Sequence, residues 1–156
     1  MAKTGVFDID KGWSKIIREM KQAAELTVEV GVQAGETTED GKADLAAVAS
    51  INEFGTDTIP SRPFMRESFD QNIGKIDKFM QDAGGKIVAH QISARQGLEL
   101  VGYEMTGIIQ KKIVDGPWVP NTPATIRQKK NEKDKNSPLI DIGRLRQSIR
   151  HEVKPK

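Results

Sequence analysis

The clearest pattern in the sequence is the alternation of apolar and other residues over positions 26–32, which predicts a β-strand buried on one face. Just before it, apolar residues recur every three or four positions between Lys11 and Ala24. This is the spacing of an amphipathic helix, which Asp10 could cap. The first predicted elements are therefore a helix and a strand. The apolar face of the strand is Leu26, Val28, Val30 and Val32, and the apolar stripe of the helix is Trp13, Ile16, Ile17, Met20 and Ala24.

Three more helices are predicted in the middle of the chain. Residues 44–54 are rich in Ala and carry apolar residues in helical register, with Gly55 as the expected stop. A helix over about residues 64–82 is predicted to end at Gly84-Gly85, and a longer one follows to about Val114. Glycines recur within that longer helix. Because each costs up to about 1 kcal/mol relative to Ala, close packing or a kink would explain them. They are Gly97, Gly102 and Gly107.

The last third of the chain contains a proline-rich loop and a final segment with two interpretations. Residues 115–125 carry three prolines and predict a loop, followed by a short helix over residues 125–130. Residues 141–150 are amphipathic and predict a helix capped by Asp141. The alternation over residues 148–153 instead predicts a closing strand. The pattern leaves both open.

Together these elements predict one α+β domain over residues 1–156. A small, mostly antiparallel sheet would pack against two or more helices, with extended Pro-rich loops. A chain of 156 residues buries roughly 70% of its unfolded surface, which is enough for an independent core. Two strongly polar stretches, about residues 35–43 and 131–137, are predicted to be flexible loops.

Composition excludes several classes of site. Hydrophobic residues make up 37% of the chain and aromatic residues only 5%, so the core must be built mainly from aliphatic side chains. The absence of Cys excludes disulfides, thiolate metal sites and Cys nucleophiles. No apolar run approaches the ~20 residues of a membrane span, so we expect a soluble protein that is made in the cytosol and does not enter membranes.

The sequence offers no positive support for an enzyme. His90 and His151 lack ligand partners at metal-binding spacing, and no serine lies in a Gly-x-Ser-x-Gly motif. There is no phosphate-binding or dinucleotide-binding glycine loop. The acidic pairs Asp8/Asp10 and Glu39/Asp40 could bind a divalent cation for hydrolysis, but their spacing matches no calcium loop. We therefore expect no catalytic residues, no cofactor and no metal site.

Charge is divided unevenly along the chain. The net charge is +2, yet residues 1–110 carry −5 and residues 111–156 carry +7. Opposite charges suit head-to-tail association with further copies or with a charged partner ring, although a solvated basic tail is equally compatible. Nucleic-acid binding fits less well, because the basic part contains one aromatic residue, Trp118, and no series of stacking rings.

Residues 52–69 (NEFGTDTIPSRPFMRESF) are the first candidate contact segment. Phe54, Arg62, Phe64 and Arg66 lie on a connection made rigid by prolines, and interface arginines often form bidentate contacts with carboxylates. For Phe64, as for Phe69, a role as a core residue is favoured over an interface role. For Arg62 neither role is favoured. Arg62→Glu is expected to impair assembly more than folding.

Two further segments could also make contacts. Trp118 lies between two prolines in residues 117–130 (PWVPNTPATIRQKK), where it could anchor an interface or fill the protein's own core. In residues 138–149 (PLIDIGRLRQSI), Arg144 and Arg146 would be exposed beside a buried leucine. An ion pair from Arg144 back to Asp141 is slightly preferred to an interface role for Arg144.

In their order along the chain these segments resemble a known family. The two specific cues are the IPSRPFMR loop after an EFGT helix end, and the PLIDIGRLRQSI segment before a terminal strand. The chain is similar, over roughly residues 28–153, to the small neck and tail-completion proteins of long-tailed bacteriophages and Mu-like prophages, which include head–tail joining and tail-terminator-like proteins. Many members have Asp-Thr-Gly where this chain has Asp141-Ile142-Gly143, and that departure keeps the proposed cap.

The resemblance implies a structural virion protein without an active site. Such proteins form a ring, often of six copies, that completes the tail or joins it to the head, and they fold as a small sheet packed against helices. The implied partners are further copies and tail-tube or head–tail connector proteins. The implied location is the tail or neck, after assembly in the host cytoplasm. DNA would be contacted only as it passes through the lumen. The alternative is a nucleic-acid-associated protein that uses the basic C-terminal third.

Overall fold

The computed structural model describes residues 11–33, 35–38, 41–129, 135–141 and 143–156, and within these ranges seven helices and two strands follow one another. The predicted acidic pairs Asp8/Asp10 and Glu39/Asp40, together with Asp10 as a helix cap, lie outside the described residues. In chain order the elements are α1 (Trp13–Ala24), β1 (Leu26–Val32), α2 (Leu45–Phe54), α3 (Phe64–Asp70), α4 (Ile73–Val88), α5 (Ala94–Asp115), α6 (Pro123–Gln128), α7 (Arg144–Ser148) and β2 (Ile149–Pro155).

The sheet confirms the α+β prediction. β1 and β2 pair antiparallel, with Val28 opposite Val153 and Val32 opposite Ile149. The strand over residues 26–32 has the predicted bounds. The final segment satisfies both interpretations in turn, because the short helix α7 leads directly into the strand β2. Its cap was predicted wrongly: Gly143, at φ 82°, takes the N-cap position, and no side chain caps α7.

The core lies between the sheet and α5. Its fully buried centre comprises Phe64, Ile109, Ile113 and Ile149, which supports the core role favoured for Phe64. The same expectation was wrong for Phe69, which is 53% exposed on α3. Most other buried apolar residues are aliphatic, as the composition requires. They include Leu45, Ala49, Ala83, Ile87, Ala94, Val101, Leu139, Leu145 and Val153.

Two predicted helix boundaries in the middle of the chain were wrong. The predicted helix over residues 64–82 is interrupted at residues 71–72, and α4 then continues through Gly84-Gly85 to Val88. The break expected at the glycines occurs at residues 89–93. There His90 has a φ of 59°, and Ser93 forms a capping box with Gln96 at the start of α5. The burial of Ile87 against α5 offsets the modest cost of the glycines.

Two of the three α5 glycines are explained by close packing. A Cβ on Gly97 would lie 2.8 Å from the Ile87 side chain, and one on Gly102 would lie 2.7 Å from the His151 ring. At Gly102 a side chain would collide with both the His151 ring and Val28, so β1 and β2 approach α5 closely because glycine is present. At Gly97 the close atom is the flexible end of Ile87, which would have to shift. Gly107 faces open space and has no such reason.

The segments between these elements are partly described. In the predicted loop of residues 35–43, Thr37 forms a bridge with Asp44, and the Thr38 amide donates to the Ala43 carbonyl at 2.8 Å. The helix expected over residues 125–130 begins two residues earlier, with Thr122 as its cap and Pro123 in its first turn. Residues 130–134, most of the second predicted flexible loop, lie outside the described residues.

Candidate functional site

A surface groove lies where α2, the start of α3 and the end of β1 meet. Its volume is about 460 Å³, and its walls are mostly apolar. It brings together two of the residues predicted to make contacts, Phe54 and Arg66. We call it the Phe54 groove, and it is lined by Val32, Ala46, Ala49, Ser50, Glu53, Phe54, Met65 and Arg66.

Phe54 is the most exposed large apolar residue of the described chain, with 75% of its surface accessible. It is the last residue of α2, and the chain turns sharply after it at Gly55, where φ is 77°. A Cβ on Gly55 would lie 2.8 Å from the Ser61 amide nitrogen and 2.9 Å from the Ile59 carbonyl oxygen. Both the positive φ and the close approach of backbone require glycine. The turn therefore fixes where Phe54 sits.

Glu53 holds α2 and α3 together beneath the groove. Glu53 is buried, with 7% of its surface exposed. Its carboxylate accepts hydrogen bonds from the amides of Met65 at 2.8 Å and Arg66 at 2.9 Å. These amides belong to the first turn of α3 and have no partner within that helix, so a carboxylate satisfies both their hydrogen bonding and their partial positive charge. Glu53 was not among the candidate contact residues predicted from the sequence. The sequence feature that could have indicated its role is a carboxylate in an otherwise largely apolar helical segment.

Arg62 is buried rather than presented at the surface, at 5% exposure. Its Nε donates to the Val119 carbonyl at 3.0 Å, and its Nη1 donates to Asn52 Oδ1 at 3.2 Å. Nη2 lies 3.4 Å from Asn121 Oδ1 and 3.5 Å from the Pro120 carbonyl. Burial lowers the pKa of this guanidinium, which nonetheless stays charged. These contacts support a structural role, so the expectation that Arg62→Glu impairs assembly more than folding is reversed.

The other two candidates between Arg62 and Phe69, Phe64 and Arg66, differ in exposure: one is buried and the other lies at the surface. Phe64 has no exposed surface and lies in the core. Arg66 is exposed at the groove wall, although its backbone amide is held by Glu53. Phe54 and Arg66 are therefore the surface residues of the segment, whereas Arg62 and Phe64 form its internal support.

Trp118 packs against the core, which supports the second of its two predicted roles. Its Nε1 donates to the Ile113 carbonyl at 3.2 Å, and its ring lies so close to Gly116 that a Cβ there would be 2.2 Å away. The Lys112 ammonium lies 5.4 Å from the ring centroid, within cation–π range. Arg62 bonds the backbone just beyond Trp118, so the two proline-containing segments, separate in sequence, form one connected unit.

Arg144 and Arg146 lie on α7, which contacts α2 and both strands. Arg146 is exposed and lines a second groove of about 330 Å³ with Lys111 and Asp115. Arg144 is half-buried. Both Asp141 and Arg144 are described, and the predicted ion pair between them does not form.

A polar cluster links α5 to β2 beside a third groove, also of about 460 Å³. His151 Nε2 lies 3.1 Å from Glu99 Oε2, and His151 Nδ1 lies 3.3 Å from Thr106 Oγ1. A Glu–His–Thr set is also the composition of a nucleophilic triad. Here, however, the Thr106 hydroxyl donates to the Gly102 carbonyl at 2.9 Å, so its proton points along the helix. The contacts join α5 to β2.

The described residues contain no group of three or more His, Asp or Glu side chains that could hold a metal ion. None of the described helices is both long and apolar enough to cross a membrane. Comparison of the chain with protein-family models, with curated proteins and with solved structures finds no match.

Proposed function

We propose that this chain is a structural virion protein of a tailed phage or prophage, which completes the tail or joins the tail to the head by ring assembly. The proposal starts from the sequence resemblance over residues 28–153. Its further copies and the tail-tube or connector proteins are the proposed partners, and the virion tail or neck is the proposed location.

The Phe54 groove is the observation that carries the proposal. Phe54 is 75% exposed and lies on the wall of an apolar groove, so the ring and the groove form one continuous apolar surface, which is typical of an interaction site. Phe54 stands on a backbone held by the turn at Gly55, by the Glu53 carboxylate and by the Arg62 amide, which donates to the Asn52 carbonyl at 2.6 Å. A rigid, exposed aromatic residue beside an arginine is the type of group that dominates protein interfaces, because little conformational entropy is lost when it is buried.

The arrangement also divides the residues of the two family cues between the fold and contact. In the EFGT segment, Glu53 and Gly55 serve the fold and Phe54 is left for contact. In the IPSRPFMR segment, Arg62 and Phe64 serve the fold and Arg66 is left for contact. The motif thus combines a fixed backbone with a small number of presented side chains, as an assembly surface needs.

Ion pairing makes the nucleic-acid alternative weaker. Among the described residues of the basic C-terminal third, four cations are paired with carboxylates of the chain, which lowers the local positive potential available to phosphates. The pairs are Lys111–Asp115 at 2.6 Å, Lys112–Glu67 at 2.7 Å, Arg150–Glu36 at 3.4 Å and Lys154–Glu29 at 2.6 Å.

Electron microscopy of phage particles made without this protein tests the proposal. Overlong tails would support a tail terminator, and separate full heads with tails of normal length would support a head–tail joiner. Particles that form normally and infect normally would overturn the proposal. Complementation with Phe54→Asp should fail, whereas complementation with Tyr103→Asp should succeed. Tyr103 is a matched control because it is also a highly exposed aromatic residue, at 69%, but lies on α5.

A further inference from the structure

The proline segment, residues 117–123 (PWVPNTP), has three prolines at a regular spacing. Pro117, Pro120 and Pro123 are three positions apart and give the pattern P-x-x-P-x-x-P. A polyproline II helix has three residues per turn, so side chains at this spacing lie along one edge of it. The pattern therefore places the prolines on a common edge wherever the segment has that conformation.

The backbone of the proline segment is extended. All of residues 117–122 are described, and none belongs to a helix or a strand. Gly116 has φ −66° and ψ 147°, and Thr122 has φ −65° and ψ 154°. Both pairs of angles are close to those of polyproline II, the region to which a residue before proline is restricted. The Trp118 amide donates to the Gly116 carbonyl at 2.8 Å, which makes a tight turn at Pro117, so the extended part lies beyond it.

Burial along the extended part repeats every three residues. One residue faces the protein, and the next two are exposed, twice in succession. A β-strand would alternate with a period of two, so this pattern supports polyproline II. Pro120 and Pro123 therefore share an exposed edge. The inward residues are Trp118 and Asn121, and the exposed residues are Val119, Pro120, Thr122 and Pro123.

Arg62 and Trp118 hold this edge from the inside. The buried guanidinium donates from Nε to the Val119 carbonyl at 3.0 Å, and its Nη2 lies 3.5 Å from the Pro120 carbonyl. The Trp118 ring packs against the core. Because polyproline II has no internal hydrogen bonds, such outside contacts are what fix its backbone. A partner would therefore meet a preformed edge, and little conformational entropy would be lost on binding.

We propose that the proline segment is the ligand of a neighbouring virion protein, which receives Pro120 and Pro123 in a groove lined with aromatic side chains. This is how exposed P-x-x-P segments are recognised, because proline rings on a preformed helix pack well on aromatic rings. Val119, which is 51% exposed, would add an apolar contact beside them. That the partner is a virion protein is the part that rests on the proposed function.

The grooves of the chain itself favour a different protein over a second copy as the partner. None of the three grooves named above carries more than one Phe, Tyr or Trp residue. Proline-binding grooves are lined with aromatic side chains. A second copy would therefore offer a poor receptor for the proline edge.

Particles made without this protein provide the probe, because they lack the chain and keep its neighbours. The purified full-length chain is added to them, and the amount that co-sediments is measured over a range of concentrations. Pro120→Ala/Pro123→Ala should weaken binding by at least about tenfold, because the proline edge is lost. Both substitutions keep the backbone carbonyl groups that Arg62 contacts, so the variant should remain folded by circular dichroism.

Two further variants make the test specific to this edge. Val119→Asp places a charge beside the prolines at an exposed position and should also weaken binding. Pro155→Ala is the matched control, because this proline is also exposed but lies on β2. It should bind the particles as the wild type does.

Several results would overturn the proposal. A folded Pro120→Ala/Pro123→Ala chain that binds like the wild type would show that the prolines are not contacted. Equal losses in Pro155→Ala would show a general effect of replacing proline, and a wild-type chain that does not bind the particles would exclude the partner. A photoreactive residue in place of Val119 should cross-link beside aromatic residues of a virion protein, and cross-linking to a second copy would overturn the choice of partner. The deletion phenotype, which tests the proposed function, is independent of all these results.

Discussion

The α2–α3 corner, residues 52–66, and α1 use their side chains in opposite ways. In the corner, polar side chains are turned inward: Glu53 is 7% exposed and Arg62 is 5% exposed, and both bond to backbone from other elements. In α1 no residue is buried, and large apolar side chains are turned outward. The usual distribution of polar and apolar groups is reversed in both regions.

The difference between the two regions indicates which substitutions should affect folding and which should affect association. A buried carboxylate or guanidinium destabilises the fold if its partners are lost, so the corner should respond to substitution mainly through stability. An exposed apolar stripe adds little to the stability of one molecule, so α1 should respond mainly through association. Phe54 combines the two, because it is an exposed residue on a fixed backbone.

Arg62→Glu should have the largest effect on folding. It removes donors from Asn52 and from the Val119 carbonyl and buries a negative charge among carbonyl groups, which we expect to cost about 4 kcal/mol of unfolding free energy. Urea denaturation followed by circular dichroism measures it. Arg66→Glu, four residues away and exposed, is the matched control and should change the same quantity by less than about 0.5 kcal/mol. Equal stabilities for the two variants would contradict the buried role of Arg62.

Two glycines of α5 allow a closely packed position and an open position of the same helix to be compared. Gly102→Ala places a methyl group 2.7 Å from the His151 ring, so it should destabilise the fold by about 2 kcal/mol. Gly107→Ala faces open space and should stabilise the fold by up to about 1 kcal/mol, because alanine loses less conformational freedom in a helix. Thermal unfolding of both variants would decide the matter, and two shifts of the same sign would refute the close packing of α5 on β2.

Glu53→Gln tests the second support of the corner. The amide keeps the shape of the side chain but loses the negative charge and one of its two acceptor oxygens, so one of the Met65 and Arg66 amides loses its partner. We expect a loss of about 1–2 kcal/mol in urea denaturation. Asp57→Asn makes the same chemical change at an exposed position and should be neutral. A neutral Glu53→Gln would mean that water replaces the carboxylate at the start of α3.

Trp13→Ser/Met20→Ser should have the smallest effect on folding. Both side chains are at least half exposed, so the monomer should lose no more than about 0.5 kcal/mol. The measurement must be made on the dissociated chain, at concentrations where sedimentation shows a monomer. A loss of several kcal/mol under those conditions would show that α1 is part of the core, and the contrast with the corner would then disappear.

Much of the local structure was predictable. The alternation from Leu26 to Val32 set the bounds of β1, and the stop at Gly55 ended α2 where expected, because both signals arise from neighbouring residues. The boundary between α4 and α5 was missed although Ser93 and Gln96 have the spacing of a capping box, which is a stronger local signal than two tolerated glycines.

The buried residues that support the candidate site were harder to predict from the sequence. The burial of Arg62 depends on carbonyl and amide groups at residues 119–121, more than fifty positions away. No pattern in the neighbouring sequence indicates that contact. Trp118 is a similar case, since its packing depends on how α5 ends at Gly116. By contrast, the exposure of Phe54 follows from its place at a helix end beside a glycine turn. Surface residues beside strong local signals were therefore easier to predict than buried polar residues with distant partners.

The pairing of β1 with β2 has a consequence for how the chain reaches its fold. The two strands come from opposite parts of the sequence, and every helix from α2 to α7 is made between them. During synthesis on the ribosome β1 cannot pair with β2, and its valines stay exposed, until residues 149–155 have emerged. Contacts between such distant residues slow folding and lengthen exposure to aggregation. The helices can form early, so the closing strand should control the yield of native protein, and a chain shortened before Ile149 should need a chaperone to stay in solution.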